Sequence, residues 1–287
     1  MGAVLNSTTA AGAAAPTAED AEWRAQRLAK LTRPDGWLTL IGLHFLAEGA
    51  NTVGSGADNA LVLARGPARV GTVTVAKDGR VTLEVAVGAP VRVDGADVRS
   101  AELQWRPSPA ATKVTFGSVT MFVIERGGRK ALRVRDSEAA RRVRFAGLEY
   151  FPLDASWRIA ARWVPAAQPQ TVAVTNILGQ VSSERVAGRA IFERAGRRIE
   201  LVAIDEGSEA PLFFVISDAT SGRSTYGGGR HLYAARPAGD AIVLDFNRAE
   251  NPPCAFTPYS TCPVPPPENR LPFAVTAGEK AYRDEIE

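Results

Sequence analysis

Three stretches of this sequence alternate apolar and polar residues on both sides of a short turn signal. The clearest, TVTVAKDGRVTLEVAV, turns at Asp78-Gly79, and the other two turn at residues 127–128 and 195–196. Alternation with a period of two is typical of strands that bury one face, and Asp-Gly and Gly-Gly favour the tight turns of antiparallel hairpins. These three segments therefore predict antiparallel β structure.

Helix signals are rare, and the best one lies near the start of the chain. Between Thr17 and Leu31, the residues Thr17 and Asp20 have the spacing of a capping box, and Glu19 adds negative charge where a helix begins. Most later segments have the pattern of short strands between turns, without the strand–helix–strand alternation of parallel sheets. We therefore predict a mostly β protein with one N-terminal helix.

The strand signals form two groups, separated by a charged stretch that contains Gly147 and Pro152. We predict that the second group is a β-sandwich or barrel closed by a proline-rich loop. The expected organisation is a flexible tail (1–15), a helix and first β unit (16–135), a connector (136–156) and a C-terminal β domain (157–287), with the proline-rich loop at 248–270.

The first group of strands has a characteristic order. A glycine loop in NTVGSGADNALVL leads into a strand, and a late G-x-x-x-x-F stretch occurs in TKVTFGSVTMFVI. This order resembles the forkhead-associated family, and the resemblance implies a forkhead-associated-like β-sandwich. That family reads phosphothreonine with an arginine directly after the loop glycine, whereas Ser55 follows Gly54 in this chain. We therefore carry over the fold and not the phosphopeptide function.

We predict that the first β unit does not recognise phosphothreonine, because Ser55 lacks the charge that pairs with a phosphate. Fluorescence anisotropy with a phosphothreonine peptide and its unphosphorylated form should show equal, weak binding. Micromolar binding of the phosphorylated peptide alone would contradict this.

The charge pattern argues against nucleic-acid and membrane partners. The 34 basic residues are spread along the chain among 31 acidic ones, whereas nucleic-acid binders concentrate positive charge on one face. No apolar run approaches the roughly 20 residues that span a bilayer. The N-terminus lacks the basic and apolar regions of a signal peptide, so we expect a soluble, cytoplasmic protein.

Familiar catalytic and metal-binding patterns are missing. The histidines are His44 and His231, and neither G-x-S-x-G nor H-E-x-x-H occurs. Seven residues separate Cys254 from Cys262, unlike the closer pairs of zinc sites. Two cysteines are also too few for a disulfide-framed secreted fold. We expect reduced structural thiols, no metal and no cofactor, with a cysteine nucleophile or zinc ligand set around His231 as open alternatives.

One loop is unusually rich in proline. Eight of the 19 prolines lie between Pro252 and Pro272, and Phe256 and Tyr259 lie among them. Long loops without regular structure are functional or disordered, and the aromatic residues favour order. Because proline restricts the unfolded chain, the loop can be held in place at a modest entropic cost. We expect a packed lid over a ligand site or a plug that covers apolar surface.

A glycine-rich stretch, SDATSGRSTYGGGRHL, covers residues 217–232. It is neither a phosphate-binding P-loop nor a dinucleotide fingerprint, because no GK[ST] follows and a strand stands where a helix is needed. The backbone at residues 227–229 can form an anion-binding nest beside Arg230. The alternative is a plain connection between strands.

Together, SDATSGRSTYGGGRHL, the proline-rich LDFNRAENPPCAFTPYSTCPVPPPENRLPFAVTAGEK and the early GWLTLIGLHFLAEGANTVGS closely resemble domain of unknown function 1684, a prokaryotic family. The resemblance covers about residues 20–283. It implies a prokaryotic, soluble protein, and it supplies no activity, cofactor or catalytic residue.

We expect a small polar or anionic ligand site in the C-terminal β domain, for binding alone or for hydrolysis. In this hypothesis Arg230 pairs with an anion and Asp245 accepts hydrogen bonds or a proton, while two tyrosines form the walls. The alternative is a non-enzymatic interaction module that uses the first sandwich. The candidate ligand-binding residues are Asp218, Tyr226, Arg230, Asp245, Asn247 and Tyr259.

Overall fold

The computed structural model describes residues 17–105 and 110–283; the tail expected at residues 1–15 lies outside this part of the chain. The fold is mostly β, with one substantial N-terminal helix and several sheets, as predicted. Within the described residues, no helix has both the length and the apolar character needed to cross a membrane. The chain forms two compact units, and neither is continuous in sequence.

Helix α1 (Ala18–Thr32) begins with the predicted capping box. The Thr17 hydroxyl accepts a hydrogen bond from the Asp20 backbone N–H at 3.2 Å, and the Asp20 carboxylate accepts one from the Thr17 backbone N–H at 3.1 Å. These bonds satisfy donors that the first helical turn leaves without partners. A third bond, from the Thr17 hydroxyl to the Asp20 carboxylate, is the main cause that lowers the pKa of Asp20.

The N-terminal sandwich comprises residues 27–105, 110–147 and 256–261. Its two sheets have the orders β1-β10-β9-β8-β6 and β3-β2-β4-β5-β7, and their inner faces share one apolar core. The short helix α2 (Ala140–Val143) follows the last strand. The strands are β1 (Leu40–Phe45), β2 (Gly49–Gly54), β3 (Leu61–Val62), β4 (Gly71–Val75), β5 (Val81–Val85), β6 (Arg92–Val93), β7 (Ser100–Glu102), β8 (Val114–Phe116), β9 (Val119–Arg126) and β10 (Arg129–Asp136).

The C-terminal unit comprises residues 17–26, 148–255 and 262–283. One six-stranded sheet forms a half-barrel, in the order β15-β14-β13-β12-β11-β16. Trp157 packs edge-on against Phe246 in its core, with ring centroids 5.8 Å apart. The strands are β11 (Arg158–Thr175), β12 (Val181–Arg194), β13 (Arg197–Ile204), β14 (Leu212–Ile216), β15 (Arg230–Ala234) and β16 (Ala241–Asp245).

All three predicted hairpins are present. They join β4 to β5, β9 to β10 and β12 to β13 in antiparallel pairs. Gly79 has a φ of 85°, and both Ala195 and Gly196 have positive φ, as tight hairpin turns of this type require. The turn residues that the sequence indicated thus have the backbone conformation that these hairpins need.

The proline-rich loop is closed at its base by a disulfide bond between Cys254 and Cys262, with Cα atoms 6.0 Å apart. The expectation of reduced thiols is therefore wrong: the turn between the two cysteines brings them within bonding reach, which their spacing alone did not reveal. Disulfides persist in oxidising compartments. The disulfide thus favours an oxidising compartment, whereas the sequence predicted a cytoplasmic location.

Residues 256–261, between the two cysteines, pack within the N-terminal sandwich. Phe256 is buried and meets Phe145 edge-on, with ring centroids 6.3 Å apart. The Thr261 hydroxyl accepts a hydrogen bond from Arg126 Nε at 3.1 Å. The loop is therefore a packed element of the fold.

We predict that reducing the disulfide destabilises the protein by about 2–3 kcal/mol, because the crosslink limits the freedom of the unfolded chain. Denaturant unfolding with and without a dithiol reductant measures this difference. The matched control is the double variant Cys254→Ala/Cys262→Ala, which should not respond to the reductant. Equal stability of the reduced and oxidised wild-type protein would contradict the prediction.

Candidate functional site

Arg230, at the start of β15, and Asp218 form a buried ion pair. Arg230 Nη2 lies 2.9 Å from Asp218 Oδ2, and the two side chains are 1% and 0% exposed. The same guanidinium donates to the backbone carbonyls of Val275 at 3.0 Å and Glu279 at 3.3 Å, and also to that of Ala277. Arg230 therefore ties the C-terminal segment to the half-barrel.

Asp218, the partner of Arg230, is held by hydrogen bonds from the glycine-rich loop and from the C-terminal segment. Its Oδ1 accepts hydrogen bonds from the Thr220 N–H at 2.8 Å, the Thr220 hydroxyl at 2.6 Å and the Val275 N–H at 3.1 Å. Desolvation lowers the pKa of Arg230, and the charge of Asp218 opposes this change. The paired ions thus hold the glycine-rich loop and the C-terminal segment together.

The glycine-rich loop owes its composition to close packing. Gly229 has a φ of +88°, and an added Cβ would lie 2.5 Å from both the Ile216 carbonyl oxygen and Pro265 Cγ. Only glycine fits this backbone conformation and this approach. Tyr226, in the same loop, is half-buried, and desolvation raises its pKa. The contacts of the loop are thus those of a connection packed against the proline-rich segment.

Asp245 and Asn247 lie together, although not on one strand. Asp245 ends β16, and its Oδ1 accepts hydrogen bonds at 3.1 Å from both the backbone N–H and the side-chain amide of Asn247, which sits in a 3₁₀ turn. The Asn247 amide also exchanges hydrogen bonds with the backbone of Asp154, at 3.0 and 3.1 Å. Asn247 therefore fastens the segment before β11 to the end of β16.

Both side chains line a cavity of about 280 Å³ in the C-terminal unit. Four carboxylates and two guanidinium groups contribute to its lining, a formal excess of two negative charges. The sequence hypothesis did not select Arg158, which begins β11, or Asp154, which precedes that strand, and both are far from Asp245 in the chain. The lining residues are Thr17, Glu19, Asp20, Leu153, Asp154, Ala155, Arg158, Asp245, Asn247 and Arg248.

Two arginines flank Asp245. Arg158 Nη1 lies 3.3 Å from Asp245 Oδ2, and Arg248 Nε lies 3.6 Å from the same oxygen. Arg248 Nη2 also contacts Glu19 Oε1 at 2.7 Å and Asp20 Oδ1 at 3.7 Å. Arg248 is therefore shared among three carboxylates, whereas Arg158 contacts one.

The six candidate residues do not form one cluster. Asp245 and Asn247 line the cavity, whereas Asp218 and Arg230 form the buried ion pair and do not line it. Tyr259 belongs to the N-terminal sandwich, and the other five belong to the C-terminal unit. Arg230 begins β15 and Asp245 ends β16, and these two strands are not neighbours in the sheet order. Their closeness in the sequence therefore does not bring the two side chains into one site.

In the described part of the chain, no three histidine, cysteine, aspartate or glutamate side chains lie close enough together to hold a metal ion. His231 is buried on β15, and its ring meets that of Phe213 edge-on at 4.8 Å. Burial lowers the pKa of His44. Both histidines thus sit in packed surroundings.

We predict that Arg230→Met destabilises the C-terminal unit by about 3–5 kcal/mol, because it leaves the Asp218 charge buried without a partner. Denaturant unfolding measures the change, and Arg223→Met, at an exposed position of the same loop, should alter stability little. Adding Asp218→Leu to Arg230→Met should recover part of the loss. A loss below that of Arg223→Met would show that the ion pair is not structural.

Comparison with known proteins places most of the C-terminal unit in a family. Residues 143–280 match the model described as "Protein of unknown function (DUF1684)". A solved structure similar to this chain is the solution NMR structure of an uncharacterized protein from Haloarcula marismortui. The two are 31% identical, over 48% of this chain and 78% of that one, with a TM-score of 0.41. No curated protein matches the chain. Through residues 143–280, this chain belongs to the DUF1684 family of proteins of unknown function.

Proposed function

We propose that the cavity beside Asp245 binds a small polar ligand that carries an anionic group. The observation that carries this proposal is the exposed guanidinium of Arg158. This side chain lines the cavity and is 56% exposed. Among the residues that the structure describes, its one side-chain partner is Asp245, at 3.3 Å from Nη1. The remaining donors of a planar guanidinium are suited to a carboxylate or phosphate.

The polar groups around Arg158 are held before a ligand arrives. Asn247 is fixed by its hydrogen bonds to Asp245 and Asp154, and Arg248 is fixed by Glu19 and Asp245. A site whose groups are already oriented loses little entropy on binding. The arrangement supports recognition of a defined polar ligand.

The charge and size of the cavity restrict the chemistry of that ligand. A volume of about 280 Å³ is at the lower end for small-molecule sites. The excess of carboxylates favours a ligand that also carries an ammonium or hydroxyl group. A small amino acid or hydroxy acid meets both conditions, with its carboxylate at Arg158 and its donors facing Asp154 and Glu19.

Hydrolysis is not part of this proposal. The lining residues hold carboxylates for proton transfer, but they include no serine, cysteine or histidine that would act as a nucleophile or its base. The role of the N-terminal sandwich as an interaction module stays a prediction from the sequence.

The test is a thermal-shift screen of amino acids and hydroxy acids, followed by calorimetric titration of each hit. A ligand at 100 times its Kd stabilises the protein by about 2.7 kcal/mol. We expect Arg158→Gln to weaken binding by about tenfold or more, which corresponds to about 1.4 kcal/mol. The matched control is Arg162→Gln, on the same face of β11 and outside the cavity lining.

Binding that is equally strong in the wild type and in Arg158→Gln would contradict the proposal, because the ligand would then lie elsewhere. The absence of any hit among these two classes would contradict the ligand assignment. A loss of binding in both variants would show a general effect of surface charge and would also overturn it.

A further inference from the structure

Arg133, on β10, is a charged residue buried in the N-terminal sandwich. Its neighbours Leu132 and Val134 point into the apolar core, so the alternation of the strand directs Arg133 to the opposite face. The residue is nevertheless only 5% exposed. An arginine in this position normally has a carboxylate or several carbonyl groups around it.

No such partner is present for Arg133 within the described residues. Its side chain has no ion pair or hydrogen bond there, and its Nε is buried without an acceptor. The guanidinium carbon lies 5.5 Å from the centre of the Trp37 ring, and this contact supplies no hydrogen-bond acceptor to Nε. A buried charge without a counter-charge is strongly unfavourable.

The neighbouring charges add to the problem. The register of β9 and β10 pairs Arg133 with Phe122 and Arg129 with Arg126, which sets Arg126, Arg133 and Arg135 on one face of the sheet. Burial, and then the charges of Arg126 and Arg135, lower the pKa of Arg133 to about 10. The group thus remains a cation near neutral pH, among cations.

The other charged groups around this face do not neutralise Arg133. Arg135 also has a buried Nε without a partner, and the carboxylate that acts on it, Asp35, is paired with Arg33 at 2.8 Å. Arg126 donates to the Thr261 hydroxyl and to the Glu125 carbonyl. Arg126 and Arg135 therefore each have a nearby acceptor or carboxylate, whereas Arg133 has none among the described residues.

We propose that Arg133, together with Arg126 and Arg135, binds a phosphate-type oxyanion on this face of the N-terminal sandwich. A guanidinium is weakly hydrated and presents planar pairs of donors that match the oxygens of a phosphate. The bound anion supplies the missing counter-charge to Arg133. The source of the oxyanion is free phosphate or the phosphate group of a small molecule, and this site is separate from the cavity beside Asp245.

Inorganic phosphate is the probe for the full chain, titrated by calorimetry and by thermal shift at constant ionic strength with chloride as the balancing anion. We expect saturable binding and a rise in Tm for the wild type. Arg133→Met should weaken phosphate binding by at least about tenfold. The same variant should match or exceed the wild type in Tm without phosphate, because it removes an unpaired buried charge.

Arg92→Met, at an exposed position on β6 in the same unit, is the matched control and should bind phosphate as the wild type does. If Arg133→Met does not fold, Arg126→Gln takes its place, with the same expected loss of phosphate affinity. Glucose 6-phosphate and glucose form the second pair of probes. Tighter binding of the sugar phosphate than of free phosphate identifies a phosphorylated small molecule as the source.

The proposal is overturned if phosphate does not bind the wild type, or if Arg133→Met and Arg126→Gln bind it unchanged. Equal loss in Arg92→Met would also overturn it, because general screening of positive charge would then explain the effect. A lower Tm of phosphate-free Arg133→Met, with unchanged phosphate binding, would show that Arg133 is held by its contact with Trp37 alone.

Discussion

A buried charge organises the C-terminal unit. Arg230 has almost no exposure, so it can stay ionised only if protein groups replace the water around it. Asp218 and the carbonyls of residues 275–279 do this, and in doing so they bring the glycine-rich loop and the end of the described chain to the same point. Gly229 then allows Pro265 to approach closely. The ion pair thus holds the glycine-rich loop, and this loop packs against the proline-rich segment through Gly229.

Arg230 and Arg133, two of the buried arginines, show how the surroundings decide the role of a residue. Arg230 has a carboxylate and three carbonyls as partners, and Asp218 neutralises its charge inside the protein. Arg133 is similarly buried, and among the described residues it has an aromatic ring and two like charges beside it but no ion pair. The same side chain is therefore structural in one unit and suited to an external anion in the other.

Prolines, a disulfide and a packed tip give the proline-rich loop its shape. Proline restricts the backbone, the bond between Cys254 and Cys262 closes the base, and burial of Phe256 holds the tip. Asn247 and Asp245, just before the loop, are fixed by hydrogen bonds of their own. The cavity is thus lined by the end of β16, the start of α1 and the segment that leads into β11, and Arg248 is the lining residue that the loop contributes.

The sequence by itself determined the features that depend on neighbouring residues: the capping box of α1, the three hairpins and the mostly β class all follow from local pattern. It also selected Asp245 and Asn247, because polar residues at the end of a strand stand out. Only the tertiary structure decided that Arg230 is buried beside Asp218, that Arg158 lies beside Asp245 and that Arg133 Nε is buried without an acceptor among the described residues. The contact between Arg158 and Asp245 joins residues 87 positions apart. Contacts of this kind are set by strand order and packing, which a single sequence does not display.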